Sequence, residues 1–347
     1  MSVVRSALSL TLRDGRTLAW RQYGAVDGFP VLFFHGNLNS RLFEPAWEKT
    51  QAQTEAARAR LIAVDRPGYG ASSPLRGRTY ASWAADVEQL AAHLALPAYA
   101  VLGYSSGGPN ALVCAATAPA PAAPAAPAAP APAAAAAASS SSSPPPPPPP
   151  PPRLAACGLV SPDGPYLAIG GAPLVEKIFG GGAAVAAGEG EGEGEGGLLT
   201  VARMEARAAA NAAQMRASYE ALGAKPGKGA RAAMALADID AATAQGVFAA
   251  AQDSVLEGSD WGFDLGAAAR VPTLLWHGED DTDVPVAAGR YVCDGIEGCE
   301  GTFVAGENHT LIRRHWQSIL ERLVAAATQE EERQQQQQQQ QQRVGKL

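Results

Sequence analysis

The chain has 347 residues and a formal net charge of −7 at pH 7, with acidic and basic residues interspersed. Nucleic-acid-binding proteins concentrate basic residues on one face, so this pattern predicts no nucleic-acid partner and favours a small ligand that is neutral or weakly charged. The apolar runs near the N-terminus are shorter than a signal peptide or a membrane span requires. We therefore expect a cytoplasmic protein with no membrane span.

Low-complexity tracts interrupt the sequence. An Ala/Pro/Ser tract covers residues 118–152, and an unbroken glutamine run covers residues 334–342. Such repeats cannot bury enough apolar surface to offset the entropy that is lost on ordering. We therefore predict a disordered insertion at 118–152 and a disordered tail at 328–347. The remaining residues, 1–117 and 153–327, are predicted to form one domain.

Short apolar runs that end in small or polar residues predict β-strands. These runs lie at residues 9–13, 31–36, 60–65, 99–104, 156–161, 272–278 and 301–306. The first run and the stretch at 16–24 meet across Asp14-Gly15, a dipeptide typical of tight hairpins. Helical patterns at 79–96 and 310–327 alternate with the later strands. This alternation indicates a parallel sheet that is covered by helices on both faces.

The region from about 164 to 265 breaks this alternation. It is alanine-rich helical sequence with no clear strand, and it contains an alternating Gly/Glu tract at 188–197. We predict a helical lid inserted after the sixth strand, with ordinary peripheral helices as the alternative. The larger side chains that the region offers to a pocket or to the core are Tyr166, Leu174, Phe179, Met204 and Trp261.

The cysteines are Cys114, Cys157, Cys293 and Cys299. Their spacing matches no metal site and no His-Glu-x-x-His motif occurs, so we predict neither a metal nor another cofactor. In a cytoplasmic protein we expect reduced thiols, with a bond between Cys293 and Cys299 as the alternative.

One serine in the segment VLGYSSGGPN, residues 101–110, has the surroundings of a nucleophile. Ser105 follows a predicted strand and precedes the helical pattern ALVCAATA, which is the strand-turn-helix context of a nucleophile elbow. So sharp a turn leaves no room for side chains two positions away, and Gly103 and Gly107 occupy those positions. Ser106 fits the pattern only as the neighbour of Ser105.

A serine hydroxyl needs a base, and the base needs an orienting acid. The predicted strand at 272–278 is followed by the acidic loop EDDTDVP, and the predicted strand at 301–306 is followed by Glu307, Asn308 and His309. Catalytic groups in open parallel sheets gather at the carboxyl ends of the strands. We therefore expect these two loops and the serine turn to meet at one edge of the sheet.

These motifs resemble those of the α/β-hydrolase superfamily. The similarity is carried by DGRTLAWRQYG, VLFFHGNLNSR, LIAVDRPGYGASSP, GYSSGGPNAL, DWGFDL and LLWHGEDDTDVP followed by GENHTLI, and it covers nearly all of the chain outside the low-complexity tracts. The resemblance implies an α/β-hydrolase fold, with a mostly parallel central sheet flanked by helices. It also implies the intact serine triad of a subgroup whose substrate is unknown.

The resemblance assigns a role to each member of the triad. Ser105 is the nucleophile and His309 the general base. Asp281 is the acid, because it occupies the aspartate position of the family pattern His-Gly-x-x-Asp-x-x-Val-Pro. The alternatives for the acid are Asp280, Asp283 and, in the loop after the sixth strand, Asp163.

The resemblance also implies an oxyanion hole. In similar enzymes the amide that follows His-Gly points into the site, so the backbone N–H groups of Asn37 and Ser106 are expected to bind the oxyanion. The N-terminus of the following helix helps at Ser106. His35 and the segment DRPGYG, residues 65–70, are expected to brace their loops.

The identity of the nucleophile narrows the chemistry. HGNLNSR is also similar to haloalkane dehalogenases and epoxide hydrolases, but their nucleophile is an aspartate, and serine stands at position 105. An alkyl-enzyme ether would be a dead end, whereas an acyl-enzyme ester can be hydrolysed. We therefore expect a serine hydrolase that cleaves a small ester, thioester or amide, with a small-molecule acyl substrate as its partner. The alternatives are a hydrolase-fold ligand sensor with little turnover, and an acyltransferase or lyase that uses the same triad.

Overall fold

The structure, a computed structural model, describes residues 8–43, 48–119, 151–179 and 199–344. The strands of the described residues are β1 (Leu8–Thr11), β2 (Thr17–Gly24), β3 (Phe29–Phe34), β4 (Ala59–Val64), β5 (Ala98–Tyr104), β6 (Arg153–Val160), β7 (Thr273–Gly278) and β8 (Glu300–Val304). They form one sheet in the order β1-β2-β4-β3-β5-β6-β7-β8.

The sheet is antiparallel only at its N-terminal edge. β1 pairs with β2 in a hairpin, β2 pairs antiparallel with β4, and every other pair is parallel. The hairpin turns at Asp14-Gly15, where Gly15 has a φ of +86° that side chains disfavour. The structure therefore confirms the mostly parallel sheet and the hairpin that the sequence predicted.

Helices cover both faces of the sheet. The helices of the described residues are α1 (Glu48–Ala56), α2 (Tyr80–His93), α3 (Gly107–Thr117), α4 (Tyr166–Phe179), α5 (Val201–Gly223), α6 (Gly229–Ala242), α7 (Phe248–Glu257), α8 (Val286–Asp294) and α9 (Ile312–Val344). One core packs α2 and α3 against the sheet around Trp83 and Leu112. The opposite core lies under α9, with Trp316 and Leu320 fully buried. The carboxyl ends of the parallel strands are thereby held at one common edge.

Helices α4 to α7 lie between β6 and β7, where the sequence predicted a helical insertion. Of the five side chains singled out there, Tyr166, Phe179 and Met204 are buried in a satellite core and Trp261 belongs to the main core. The Gly/Glu tract at 188–197 and residues 120–150 of the Ala/Pro/Ser tract lie outside the described residues.

The glutamine-rich tail differs from the prediction of disorder. Helix α9 continues to Val344, well beyond residue 328. Glutamate, arginine and glutamine are good helix formers, and the sequence contains no Gly or Pro between 328 and 344 to stop the helix. Glu330 adds local support because its carboxylate is buried and hydrogen-bonded by Arg333. No helix among the described residues is both long and apolar enough to cross a membrane.

The expectation of four reduced thiols is wrong for one pair. Cys293 and Cys299 form a disulfide, while Cys114 and Cys157 are free and buried. The turn that follows α8 folds back towards β8 and brings the two Cα atoms to 5.4 Å, within the range that a disulfide requires.

Candidate active site

Ser105 sits on a sharp turn between β5 and α3. Its backbone has a φ of +53°, a left-handed conformation that is uncommon for a residue with a side chain. Its N–H donates to the carbonyl of Val160 on the neighbouring strand, which holds the turn in place. A Cβ at Gly103 would lie 2.3 Å from the carbonyl oxygen of Gly107, and a Cβ at Gly107 would lie 2.1 Å from that of Phe34. The two glycines are therefore required by the close approach of the backbone, as the sequence predicted.

The loops after β7 and β8 approach each other through backbone contacts. The N–H of Glu279 donates to Val304, and the N–H of Asp280 donates to Glu307. A Cβ at Gly278 would lie only 2.3 Å from the carbonyl oxygen of Glu307, so glycine is needed at this crossing. The loop contacts place Asp281 beside His309.

The three residues form a continuous chain of hydrogen bonds. His309 Nε2 lies 3.1 Å from Ser105 Oγ, and His309 Nδ1 lies 2.8 Å from Asp281 Oδ2. The other carboxylate oxygen, Oδ1, accepts the backbone N–H groups of Asp283 and Val284, both at 2.9 Å. These bonds fix the carboxylate so that Oδ2 faces the imidazole.

Asp281 and His309 each shift the pKa of the other towards its charged form. Burial favours the neutral form of Asp281, but hydrogen bonds from His277 and His309 outweigh it and hold the pKa of this carboxyl well below its usual value. Burial also opposes protonation of His309, but the hydrogen bond and charge of Asp281 outweigh it and raise the pKa of the imidazole above its usual value. A stable carboxylate therefore supports an imidazole that binds a proton more readily.

The alternative acids have other contacts. Asp163 accepts a hydrogen bond from the Tyr166 hydroxyl at 2.6 Å rather than from His309. Asp280 and Asp283 are exposed, and the contact of Asp283 with the acid is through its backbone N–H. Among the carboxyl groups weighed from the sequence, Asp281 is the one hydrogen-bonded to the imidazole.

His277 is a neighbour of the site that the sequence analysis did not identify. It is fully buried at the end of β7, and its Nε2 lies 3.0 Å from the carbonyl oxygen of Val284 and 3.3 Å from Asp281 Oδ2. The sequence signal that could have identified His277 is its position directly before Gly278 and four residues before Asp281. The side chain braces the turn that carries the acid.

The two amides expected to form the oxyanion hole lie beside Ser105. Asn37 and Ser106 line the same cavity as Ser105 and His309. In the part of the chain that the structure describes, neither backbone N–H is paired with a backbone carbonyl. Ser106 also stands at the N-cap of α3, where the positive end of the helix dipole lies. Among the described residues, neither amide is therefore occupied by a backbone acceptor at the cavity that holds Ser105.

The cavity has a volume of about 880 Å³ and is bounded on one side by the inserted helices. Its apolar lining includes Leu38, Phe179, Ala208 and Met215. Asp281, Asp283 and His309 have ligand atoms within 4.8 Å of one another, close enough to share an ion. A metal there would have to displace the hydrogen bond between His309 and Asp281, so this set suits proton transfer better than metal binding.

A second pair of acids lines the cavity that holds Ser105. Asp163 and Glu257 are buried and line the same cavity as Ser106. Burial raises the pKa of each carboxyl, the charge of Asp281 raises that of Asp163 further, and the charge of Asp163 raises that of Glu257 further. Glu257 comes from α7 and was not identified from the sequence, because nothing in its local pattern places it beside Ser106.

Comparison with known proteins agrees with this fold. A sequence family described as the alpha/beta hydrolase fold matches residues 30–154. A proline iminopeptidase from Arabidopsis thaliana is 33% identical over 117 residues, which are 31% of this chain and 28% of that protein. A non-heme chloroperoxidase from Streptomyces lividans is 34% identical over 101 residues, which are 29% of this chain and 36% of that protein. The chain thus matches well under half the length of either relative.

Solved structures match the fold over most of the chain. An esterase from Exiguobacterium antarcticum superposes with a TM-score of 0.59 at 17% identity, covering 93% of this chain and 100% of that chain. At this identity the likeness concerns the fold alone. The chain thus matches the alpha/beta hydrolase family over residues 30–154 and shares its fold.

Proposed function

We propose that the protein is a serine hydrolase that cleaves a small ester, thioester or amide through an acyl-enzyme intermediate. The observation that carries the proposal is the hydrogen-bond chain from Ser105 Oγ through His309 to Asp281, with distances of 3.1 and 2.8 Å. A serine hydroxyl is a weak nucleophile until a positioned base removes its proton. The chain of bonds supplies that base and holds it in the required tautomer.

In the first half-reaction Ser105 Oγ attacks the carbonyl carbon of the substrate while its proton moves to His309 Nε2. The carbonyl oxygen gains the negative charge and accepts hydrogen bonds from the N–H groups of Asn37 and Ser106. Asp281 stabilises the imidazolium that forms. When the carbonyl double bond re-forms, the bond to the leaving group breaks and His309 Nε2 protonates that group. Ser105 is left as an acyl ester.

In the second half-reaction water takes the place of the leaving group. His309 Nε2 accepts a proton from the water as its oxygen attacks the acyl carbon, and the same two amides bind the oxyanion. The proton then returns to Ser105 Oγ as the ester bond breaks. The products are a carboxylic acid and free enzyme, so no cofactor is consumed.

The cavity supports a small acyl group as the substrate. Its volume of about 880 Å³ is of the size that encloses a small molecule, and Phe179, Ala208 and Met215 offer apolar contacts beside Ser105. Relatives named as an esterase and as an iminopeptidase are consistent with a hydrolase that acts on a carbonyl group.

A fluorophosphonate probe tests the proposal, because it reacts with activated serines and leaves other serines unmodified. We expect labelling of wild-type protein at Ser105, located by peptide mass spectrometry, and no labelling of Ser105→Ala. Ser318→Ala is the matched control, since Ser318 is an exposed serine on α9, and its labelling should equal that of the wild type. Equal labelling of Ser105→Ala and the wild type would contradict the assignment.

Turnover distinguishes a hydrolase from the other functions of this fold. Wild-type protein should hydrolyse aryl esters from a series of increasing acyl length, with release of the free acid. Labelling at Ser105 without turnover of any ester or amide would instead indicate a ligand sensor. Transfer of the acyl group to an added alcohol in preference to water would indicate an acyltransferase.

A further inference from the structure

The carbonyl group of Gly36 is held by three donors. Its oxygen lies 2.8 Å from His35 Nδ1, 3.2 Å from Arg66 Nη2 and 3.3 Å from the backbone nitrogen of Asn39. His35 Nε2 accepts the backbone N–H of Arg66, so Nδ1 carries the proton and donates to Gly36. Burial and the nearby Arg66 lower the pKa of His35, which agrees with this neutral tautomer.

The direction of this carbonyl fixes the direction of the Asn37 amide. The peptide is trans, and a trans peptide points its C=O and its N–H to opposite sides. The three donors hold the Gly36 oxygen on the side of the buried Arg66. The N–H of Asn37 must then point the other way, towards the cavity that Asn37 shares with Ser105.

Arg66 is itself held by a residue of the inserted helices. Its guanidinium is fully buried, and Nη1 lies 2.7 Å from Asp253 Oδ2 on α7. The same carboxylate accepts the Tyr69 hydroxyl at 2.5 Å and pairs with Arg78. A buried arginine that lost this carboxylate would be an uncompensated charge, so Asp253 determines where Arg66 can lie.

Helix α7 has a second contact with the same loop. The side-chain amide of Asn37 donates to the carbonyl of Ala250 at 3.1 Å. The next residue, Leu38, has a φ of +54°, a strained conformation that persists only where surrounding contacts impose it. Without those contacts we expect the loop to relax and the Gly36–Asn37 peptide to rotate.

We propose that Arg66 and Asp253 are positioning residues for the oxyanion hole, through which helix α7 of the insertion keeps the Asn37 amide directed at Ser105. The inference rests on the proposed serine hydrolase function. Neither residue touches the substrate, so their loss should lower kcat and leave KM nearly unchanged. Loss of an oxyanion-hole donor typically lowers kcat by about 100- to 1,000-fold. Because His35 and Asn39 remain, we expect a decrease of roughly 10- to 100-fold in Arg66→Met.

The test uses two ligands of similar shape, of which only one forms a covalent adduct that carries an oxyanion. A trifluoromethyl ketone adds to Ser105 and forms a tetrahedral oxyanion, whereas the corresponding trifluoromethyl carbinol occupies the cavity without one. We expect Arg66→Met to weaken inhibition by the ketone at least tenfold and inhibition by the carbinol by less than twofold. Asp253→Asn should have the same selective effect, and this isosteric variant serves if Arg66→Met does not fold.

Arg78→Met is the matched control, because Arg78 pairs with the same Asp253 carboxylate but its other contacts are Gln252 and the carbonyl of Ala249. Its ketone inhibition should stay within about threefold of the wild type. An equal loss in Arg78→Met, or equal loss of ketone and carbinol binding in Arg66→Met, would overturn this inference and leave the proposed function intact. A wild-type protein that shows neither turnover nor inhibition by the ketone would overturn both.

Discussion

His277 and Asp281 face each other inside the core, with Nε2 of the histidine 3.3 Å from Oδ2 of the aspartate. That oxygen is also the one that contacts His309 at 2.8 Å. Because His277 Nε2 lies 3.0 Å from the carbonyl of Val284 as well, its N–H links the acid to the turn that follows it. The orientation of the Asp281 carboxylate thus depends on a residue outside the hydrogen-bond chain from Ser105 through His309.

Replacing His277 should lower activity without abolishing it. A single hydrogen bond contributes about 1 kcal/mol, so His277→Ala should lose roughly five- to tenfold in kcat/KM. His277→Gln places an amide donor near the position of Nε2 and should recover most of the loss. Steady-state kinetics on an aryl ester would check both variants. Equal activities of His277→Ala and the wild type would show that the backbone bonds to Oδ1 suffice.

Asp281→Asn should cause a far larger loss. An amide in place of the acid favours the imidazole tautomer that cannot accept the serine proton, and in the protease template this change lowers kcat about 10,000-fold. The size of the side chain is unchanged, so we expect a melting temperature close to that of the wild type. Asp280→Asn is the matched control, since it makes the same change at the adjacent, exposed position, and its activity should stay within tenfold. Near-normal activity of Asp281→Asn would assign the acid elsewhere.

The pH profile should report the environment of His309. The imidazole must be neutral to accept the Ser105 proton, so activity should be lost as the pH falls through its pKa and regained as the pH rises. Asp281 raises that pKa above 6.5, which places the acid limb of kcat/KM above pH 6.5 in the wild type. In Asp281→Asn the limb should move to lower pH. The profiles should be measured with an uncharged ester, so that the substrate does not titrate. An acid limb at or below pH 6.5 in the wild type would contradict this prediction.

The sheet and the meeting of Ser105, Asp281 and His309 could be predicted from the sequence because their signals are local. Each parallel strand is an apolar run that ends where a loop begins, and Asp14-Gly15 marks the hairpin. Ser105 directly follows β5, Asp281 and His309 lie in the loops after β7 and β8, and parallel strands bring their carboxyl ends together. The order of the strands then determines that the three loops meet.

The residues that position the site could not be predicted in the same way. Asp253 reaches the segment around Arg66 and Tyr69 across some 180 residues of sequence, and the register that brings them together is set by how α7 packs. Glu257 comes to line the same cavity as Ser106 through the same packing. Such contacts depend on tertiary structure, and neither residue type nor periodicity encodes them.

The disulfide makes a simple prediction about thiol content. Cys293 and Cys299 are bonded, whereas Cys114 and Cys157 are free. Titration of the unfolded, unreduced protein with a thiol reagent should therefore detect two thiols per chain, and titration after reduction should detect four. Cys293→Ser with Cys299→Ser should give two thiols in both conditions. Four thiols in the unreduced wild type, purified without reductant, would contradict the pairing.

A buried carboxyl in the insertion should make stability depend on pH. Asp238 on α6 accepts hydrogen bonds from the backbone N–H and hydroxyl of Ser40 and from the side-chain amide of Asn39. Burial outweighs these bonds and raises the pKa of Asp238 from 3.8 to about 7. A raised pKa means that the folded protein binds the proton more tightly than the unfolded chain does. The contribution to stability is therefore complete below pH 3.8 and is lost as the pH rises towards 7.

Asp238→Asn should remove this dependence. At about 1.4 kcal/mol per pKa unit, the three units amount to about 4 kcal/mol of unfolding free energy that the wild type loses between pH 4 and pH 7. Urea unfolding at several pH values would give the free energy of unfolding of both proteins. That of Asp238→Asn should increase relative to that of the wild type as the pH rises. Asp240→Asn is the matched control, because Asp240 lies on the same helix and is exposed. The free energy of unfolding of Asp240→Asn, plotted against pH, should run parallel to that of the wild type. A parallel plot for Asp238→Asn would contradict the prediction, because it would show that Asp238 is ionised in the folded protein throughout this range.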